Sequence, residues 1–199
     1  MASDSRLIQK IGISKNGMVR LFLSIAFPIH LWAILLFFRD FEWIANRSSS
    51  WDAVGVGAYS VAVALIETSL VFLITLLLGS ILPKFLGEEK KVLLLTLLFY
   101  CLAGWIMIRK THAIVNESFP NLLINSFLST GHPYRYLVLA VAAIISLVII
   151  SIIGTAYLAI RSNRFVDICQ AVIDRVIVLS ALYLVTDIAG IIIVIIRNV

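Results

Sequence analysis

Five long apolar stretches, separated by short polar connections, dominate the pattern of hydrophobic and polar positions along this chain. A helix needs about 17 residues or more, rising 1.5 Å per residue, to cross the hydrocarbon core of a bilayer. The pattern therefore predicts transmembrane helices over residues 18–38, 54–82, 92–108, 136–160 and 175–196. The predicted fold class is all-α, and residues 1–199 form one integral membrane helical bundle.

Two shorter segments are predicted to be helices that lie on the membrane surface. Residues 163–174 place four apolar side chains on one helical face, which indicates a short cytoplasmic amphipathic helix: Phe165, Ile168, Cys169 and Val172. Residues 120–129 hold an apolar patch in the longest connection, which predicts an external interfacial helix. The first apolar stretch ends without a small-residue cleavage site, so we expect it to be a retained helix rather than a signal peptide.

Composition and charge support a membrane protein and give it an orientation. The chain is 61% hydrophobic and 14% charged, with a mean hydropathy of +1.06, which is too apolar for a water-soluble domain of this length. Positive residues are retained on the cytoplasmic side, so the larger group of basic residues predicts a cytoplasmic N-terminus and an external C-terminus in the plasma (inner) membrane. Ten of the sixteen Lys and Arg form that group: Arg6, Lys10, Lys15, Arg20, Lys84, Lys90, Lys91, Arg161, Arg164 and Arg175. This placement and the anionic headgroups explain the net charge of +5, and we expect the lipid bilayer and no nucleic acid as a partner.

Three of the predicted spans carry an ionisable residue close to the middle of the membrane. They are His30, Glu67 and Asp187, and counting from the cytoplasmic helix ends places them within ~5 Å of one depth. A carboxylate at the centre of a span costs about 2.5–3.5 kcal/mol on insertion scales, so each needs a proton, a partner or water. The sequence therefore predicts a buried polar cluster of these three side chains, which binds a cation or exchanges a proton.

Polar and small residues at helical spacing indicate which helix faces turn inward. Ser180 and Tyr183 share a stripe with Asp187 on the fifth span, and Tyr59 lies in line with Glu67 on the second. The fourth span carries a seam of small residues that predicts a close helix contact: Ala142, Ser146 and Gly154. Pro28, two residues before His30, predicts a bend that opens a polar cavity beside the cluster.

The cluster has two further interpretations that the sequence leaves open. The three groups can be hydrogen-bonding partners that fix the packing of the bundle, or Glu67 or Asp187 can face another subunit. The main functional hypothesis is a non-enzymatic membrane component that packs against other membrane proteins, lipids or further copies of itself. The alternatives are a small proton- or cation-coupled transporter and a lipid-modifying membrane enzyme.

The sequence nominates no catalytic residue, metal site or cofactor. None of the metalloprotease, hydrolase, redox or phosphate-loop motifs occurs. His112, Glu117 and His132 share one connection, but their spacing matches no compact set of metal ligands. Cys101 lies in an apolar span and Cys169 in a polar connection, so no disulfide is expected. We therefore lean away from an enzyme and expect no cofactor.

Overall fold

Five α-helices make up the described part of the chain, and no strand occurs in it. The computed structural model describes residues 12–83, 85–116, 125–126, 128–129 and 131–199. The helices are α1 (Lys15–Arg47), α2 (Ser50–Ile81), α3 (Glu88–Asn116), α4 (Pro133–Arg161) and α5 (Asn163–Asn198). All five are long and apolar enough to cross a membrane, which confirms the predicted helical bundle with five spans.

The helices are longer than the apolar stretches that predicted them. α1 continues to Arg47 and α2 begins at Ser50, so the predicted polar connection is largely helical. Ser14 and Ser49 cap α1 and α2, because their hydroxyls accept hydrogen bonds from the amides of Gly17 and Asp52. Hydropathy marks where a helix lies in the membrane, whereas caps and helix-breaking residues mark where it ends.

The predicted surface helix over residues 163–174 is helical, but it is the first part of α5 rather than a separate element. Ser162 caps this helix by accepting a hydrogen bond from the amide of Phe165. No proline or glycine interrupts the chain from there until Gly190, so the helix runs without a break into the apolar segment. The predicted interfacial helix over 120–129 lies largely outside the described residues.

The bundle is built around α1 and α2, which form the most extensive helix pair. α5 packs against both, and α3 packs against α1. The buried positions of α2 all carry small side chains, which lets the backbones approach closely. These buried positions are Ala53, Gly55, Gly57, Ala58, Ala64, Thr68, Thr75 and Gly79.

Ion pairs and hydrogen bonds of charged side chains connect the helices at both ends of the bundle. At the end where α1 begins, Glu88 accepts hydrogen bonds from the amide and hydroxyl of Ser14, and Arg20 pairs with Asp174. At the opposite end Arg197 donates to Asp52 at 2.7 Å. The ion pairs connect α5 to α1 and to α2.

α4 lies at the edge of the bundle and packs mainly on α3. None of its most apolar segment is buried within the chain. Ala142 and Ser146 are exposed, and a Cβ atom at Gly154 would meet nothing within 4 Å. The predicted small-residue contact on this helix is therefore wrong within the described chain, because α4 contacts α3 through other residues, such as Ser151 and Thr155.

Candidate functional site

A histidine and an aspartate from the first and last helices meet in the middle of the bundle. His30 Nε2 lies 2.9 Å from Asp187 Oδ1, and His30 Nδ1 lies 2.9 Å from the backbone carbonyl oxygen of Ala26. The side chains are 0% and 2% exposed. The pair thus joins α1 to α5 in a place that solvent does not reach.

The geometry fixes how many protons this pair holds. The carbonyl of Ala26 can only accept a hydrogen bond, so His30 Nδ1 must carry a hydrogen. The contact between His30 Nε2 and Asp187 Oδ1 then needs one further proton, which belongs either to an imidazolium or to a carboxylic acid. In both forms the pair has no net charge. A neutral pair is what an apolar interior tolerates, since an isolated charge there is costly.

The rest of the site is a compact packing of rings and small residues. Tyr183 stacks on His30, with ring centroids 5.6 Å apart and planes within 10°. Ser180 is fully buried, but its hydroxyl donates to the carbonyl of Val176 on its own helix. Asp187 Oδ2 is buried and has no hydrogen-bond partner in the part of the chain that the structure describes. This oxygen is therefore an open acceptor beside His30.

Glu67, the third predicted member of the cluster, lies apart from the pair. Its side chain is exposed on the outer side of α2, whereas the next residue, Thr68, is fully buried against the bundle. No hydrogen bond or ion pair joins Glu67 to any other described residue. The prediction that all three meet is therefore wrong for Glu67, because the rotation of α2 that buries its small residues turns this carboxylate outward.

The predicted polar stripe is also divided between two places. Ser180 and Tyr183 belong to the surroundings of the His30–Asp187 pair. Tyr59 lies near the end of the bundle instead, where it is 43% exposed and its hydroxyl accepts a hydrogen bond of 2.5 Å from Asn198. Tyr59 therefore links α2 to the end of α5 and does not contribute to the buried site.

A further polar contact beside the pair was missed by sequence reasoning. Pro28 has no amide hydrogen, so the carbonyl of Ser24, four residues earlier, lacks its usual helical donor. The hydroxyl of Tyr100 on α3 takes that place at 2.9 Å. α1 continues through Pro28, and this carbonyl is bonded by protein rather than left to the predicted polar cavity. The signal for an external donor was Pro28 inside a span, but the sequence does not say which helix supplies it.

Within the described residues, no group of three or more His, Cys, Asp or Glu is arranged to hold a metal ion. Cys101 and Cys169 are free thiols. No protein-family model, curated protein or solved structure matches this chain. What the fold and the site define is the class: a multi-pass integral membrane protein whose first and last helices share a buried histidine–aspartate pair.

Proposed function

We propose that this protein is a non-enzymatic subunit of a membrane assembly and that it binds a partner membrane protein on the outer side of α2. The observation that supports this is the position of Glu67. The carboxylate is exposed at mid-helix, and its nearest neighbours along the surface are apolar. We define the Glu67 face as the exposed residues Val56, Val63, Glu67, Leu70, Ile74, Leu78 and Ile81.

Lipid tails alone cannot satisfy the carboxylate on this face. Glu67 lies roughly 14 residues from the end of α2 at Ile81, which is ~21 Å along the helix axis. A glutamate side chain is too short to reach the headgroups across that distance, in contrast to a lysine or arginine near a helix end. A protein partner satisfies the carboxylate, and it also covers the apolar residues on either side of it.

The orientation is part of the proposal. We place the end with Ser14, Glu88 and Arg161 in the cytoplasm of a plasma (inner) membrane and the C-terminus outside, because the excess of Lys and Arg lies at that end. Cysteine labelling at Lys90 and at Arg47 tests this placement. Labelling of Lys90 from the outside would contradict it.

Site-specific photo-crosslinking in the native membrane tests the partner. A photoreactive residue is placed at Val63 or Leu70, which flank Glu67 on the same face, and at Val185 as a control. Val185 is 63% exposed on an apolar side of α5. We expect a discrete protein adduct from Val63 and Leu70, and lipid adducts from Val185. Lipid adducts alone from all three positions would contradict the proposal.

Proton- or cation-coupled transport is the second candidate, and one observation favours it. Asp187 Oδ2 is a buried acceptor with no partner among the described residues, in a pair that shares one proton between His30 Nε2 and Asp187 Oδ1. Both side chains are closed to solvent, so transport would need a second conformation that opens the pair. Reproducible proton or cation flux in liposomes, lost in Asp187→Asn, would favour this candidate over the subunit role.

A further inference from the structure

The surroundings of Glu67 on its own helix offer it no hydrogen-bond donor. One turn away on either side, Val63, Ala64, Leu70 and Val71 have no polar side-chain atom. The hydroxyl of the adjacent Thr68 is directed away, since it donates to the carbonyl of Ala64 at 2.7 Å. Whatever balances this carboxylate must come from outside α2.

The other helices of the chain do not provide the balancing group either. Two basic residues, Arg20 and Arg175, lie in the first turn of the predicted spans 18–38 and 175–196, and Arg20 pairs with Asp174. His30 is the one basic residue deeper inside any of the five predicted spans. Its ring is fully buried and both ring nitrogens are engaged, one with Asp187 and the other with the carbonyl of Ala26. A second copy of this chain therefore brings no free cation to the depth of Glu67.

From this charge balance we infer that the partner on the Glu67 face is a different membrane protein, whose spanning helix carries a lysine or arginine at the depth of Glu67. This inference rests on the proposed subunit function and specifies the chemistry of the partner. A basic residue alone in the hydrocarbon core is as costly as the carboxylate, so each group makes the insertion of the other favourable. The apolar residues of the Glu67 face then pack around the ion pair and keep water away from it.

Association with synthetic probe helices tests whether the face selects a cation. Each probe is a helix of about 20 leucines that spans the bilayer, with lysine, leucine or glutamate at its centre. The protein and one probe are placed in phosphatidylcholine vesicles, and association is measured by fluorescence energy transfer. We expect the lysine probe to associate at least about tenfold more tightly than the leucine probe.

Variants of the chain show whether that preference comes from Glu67. Glu67→Gln removes the charge and keeps the shape, and we expect the two probes to associate equally with it. Glu42→Gln is the matched control, because Glu42 is an exposed carboxylate near the end of α1 and outside the face. The tenfold preference should persist there. Equal association of both probes with the unchanged protein, or a preference that survives Glu67→Gln, would overturn the inference.

Self-association is a separate outcome of the same measurement. Tighter association of the glutamate probe than of the lysine probe would indicate two carboxyl groups sharing a proton, and it would overturn a cationic partner in favour of a second copy. The cross-linking experiment distinguishes failure of the subunit function from failure of the cationic partner. Absence of a protein adduct would remove the subunit function itself. An adduct whose cross-linked segment has no lysine or arginine within one turn would leave the subunit function standing and overturn this inference.

Discussion

Tyr100 on α3 donates a hydrogen bond to the carbonyl of Ser24 on α1. This carbonyl has no donor within its own helix, because Pro28 has no amide hydrogen. We expect Tyr100→Phe to destabilise the protein by about 1–3 kcal/mol, the cost of a buried acceptor without a donor. Reversible unfolding in mixed detergent micelles measures this change. Phenylalanine keeps the aromatic ring, so the cost arises from the backbone carbonyl of Ser24, which loses its donor.

The chain offers an internal control for this prediction. In Pro28→Ala the restored amide of residue 28 donates to the carbonyl of Ser24, so the Tyr100 hydroxyl is no longer required. We expect Tyr100→Phe to cost less than about 1 kcal/mol in that background. Equal costs with and without Pro28 would show that the hydroxyl acts through something other than this carbonyl.

The proton held between His30 and Asp187 leads to a second prediction. Asp187→Asn keeps a neutral pair, since the amide of the asparagine can donate to His30 Nε2 while His30 Nδ1 still donates to Ala26. We expect this variant to lose less than about 1 kcal/mol of unfolding free energy. Asp187→Leu is of similar size but leaves Nε2 unpaired, and we expect a loss of about 1–3 kcal/mol. A milder effect from leucine than from asparagine would contradict the hydrogen-bonded pair.

The sequence predicted the number of helices and their class, because the length of an apolar stretch relates directly to the thickness of a bilayer. It also indicated the depth of His30 and Asp187, since depth follows from counting residues along a helix. It did not place Glu67. Thr68 and Glu67 differ by one residue, or about 100° around the helix, and which of them faces the bundle depends on how α2 packs. The partner of Ser24 was likewise hidden, because it needs the relative heights of α1 and α3.

Gly190 provides a test of how closely α5 and α2 approach beside the pair. A Cβ atom at Gly190 would lie 3.2 Å from the carbonyl oxygen of Ala58. Gly190→Leu must push the two helices apart, and we expect a loss of about 1–3 kcal/mol of unfolding free energy. Ala189→Leu is the control, because Ala189 is exposed on the same helix. A similar loss in both variants would mean that leucine acts on α5 itself and not on its contact with α2.

The ion pair between Asp52 and Arg197 predicts a pH dependence at the other end of the same two helices. Hydrogen bonds from Arg197 and then from Ser49 lower the pKa of Asp52 below its ordinary value of 3.8. Because the pKa is lower in the folded than in the unfolded protein, the pair stabilises the fold above about pH 3.8, and this contribution disappears as the pH falls through the folded pKa.

Asp52→Asn isolates this contribution. We expect the wild-type protein to unfold at a higher temperature than Asp52→Asn at about pH 6, and the difference to shrink steadily below about pH 4. Asp167→Asn is the matched control, because Asp167 is an exposed aspartate of α5 with no ion pair to another described residue. Its difference from wild type should stay constant over the same range. If the Asp52→Asn difference were also constant down to low pH, the carboxylate of Asp52 would not be acting through its charge. Arg197 would then act on α2 through the hydrogen bond of 2.6 Å that it donates to the carbonyl of Trp51.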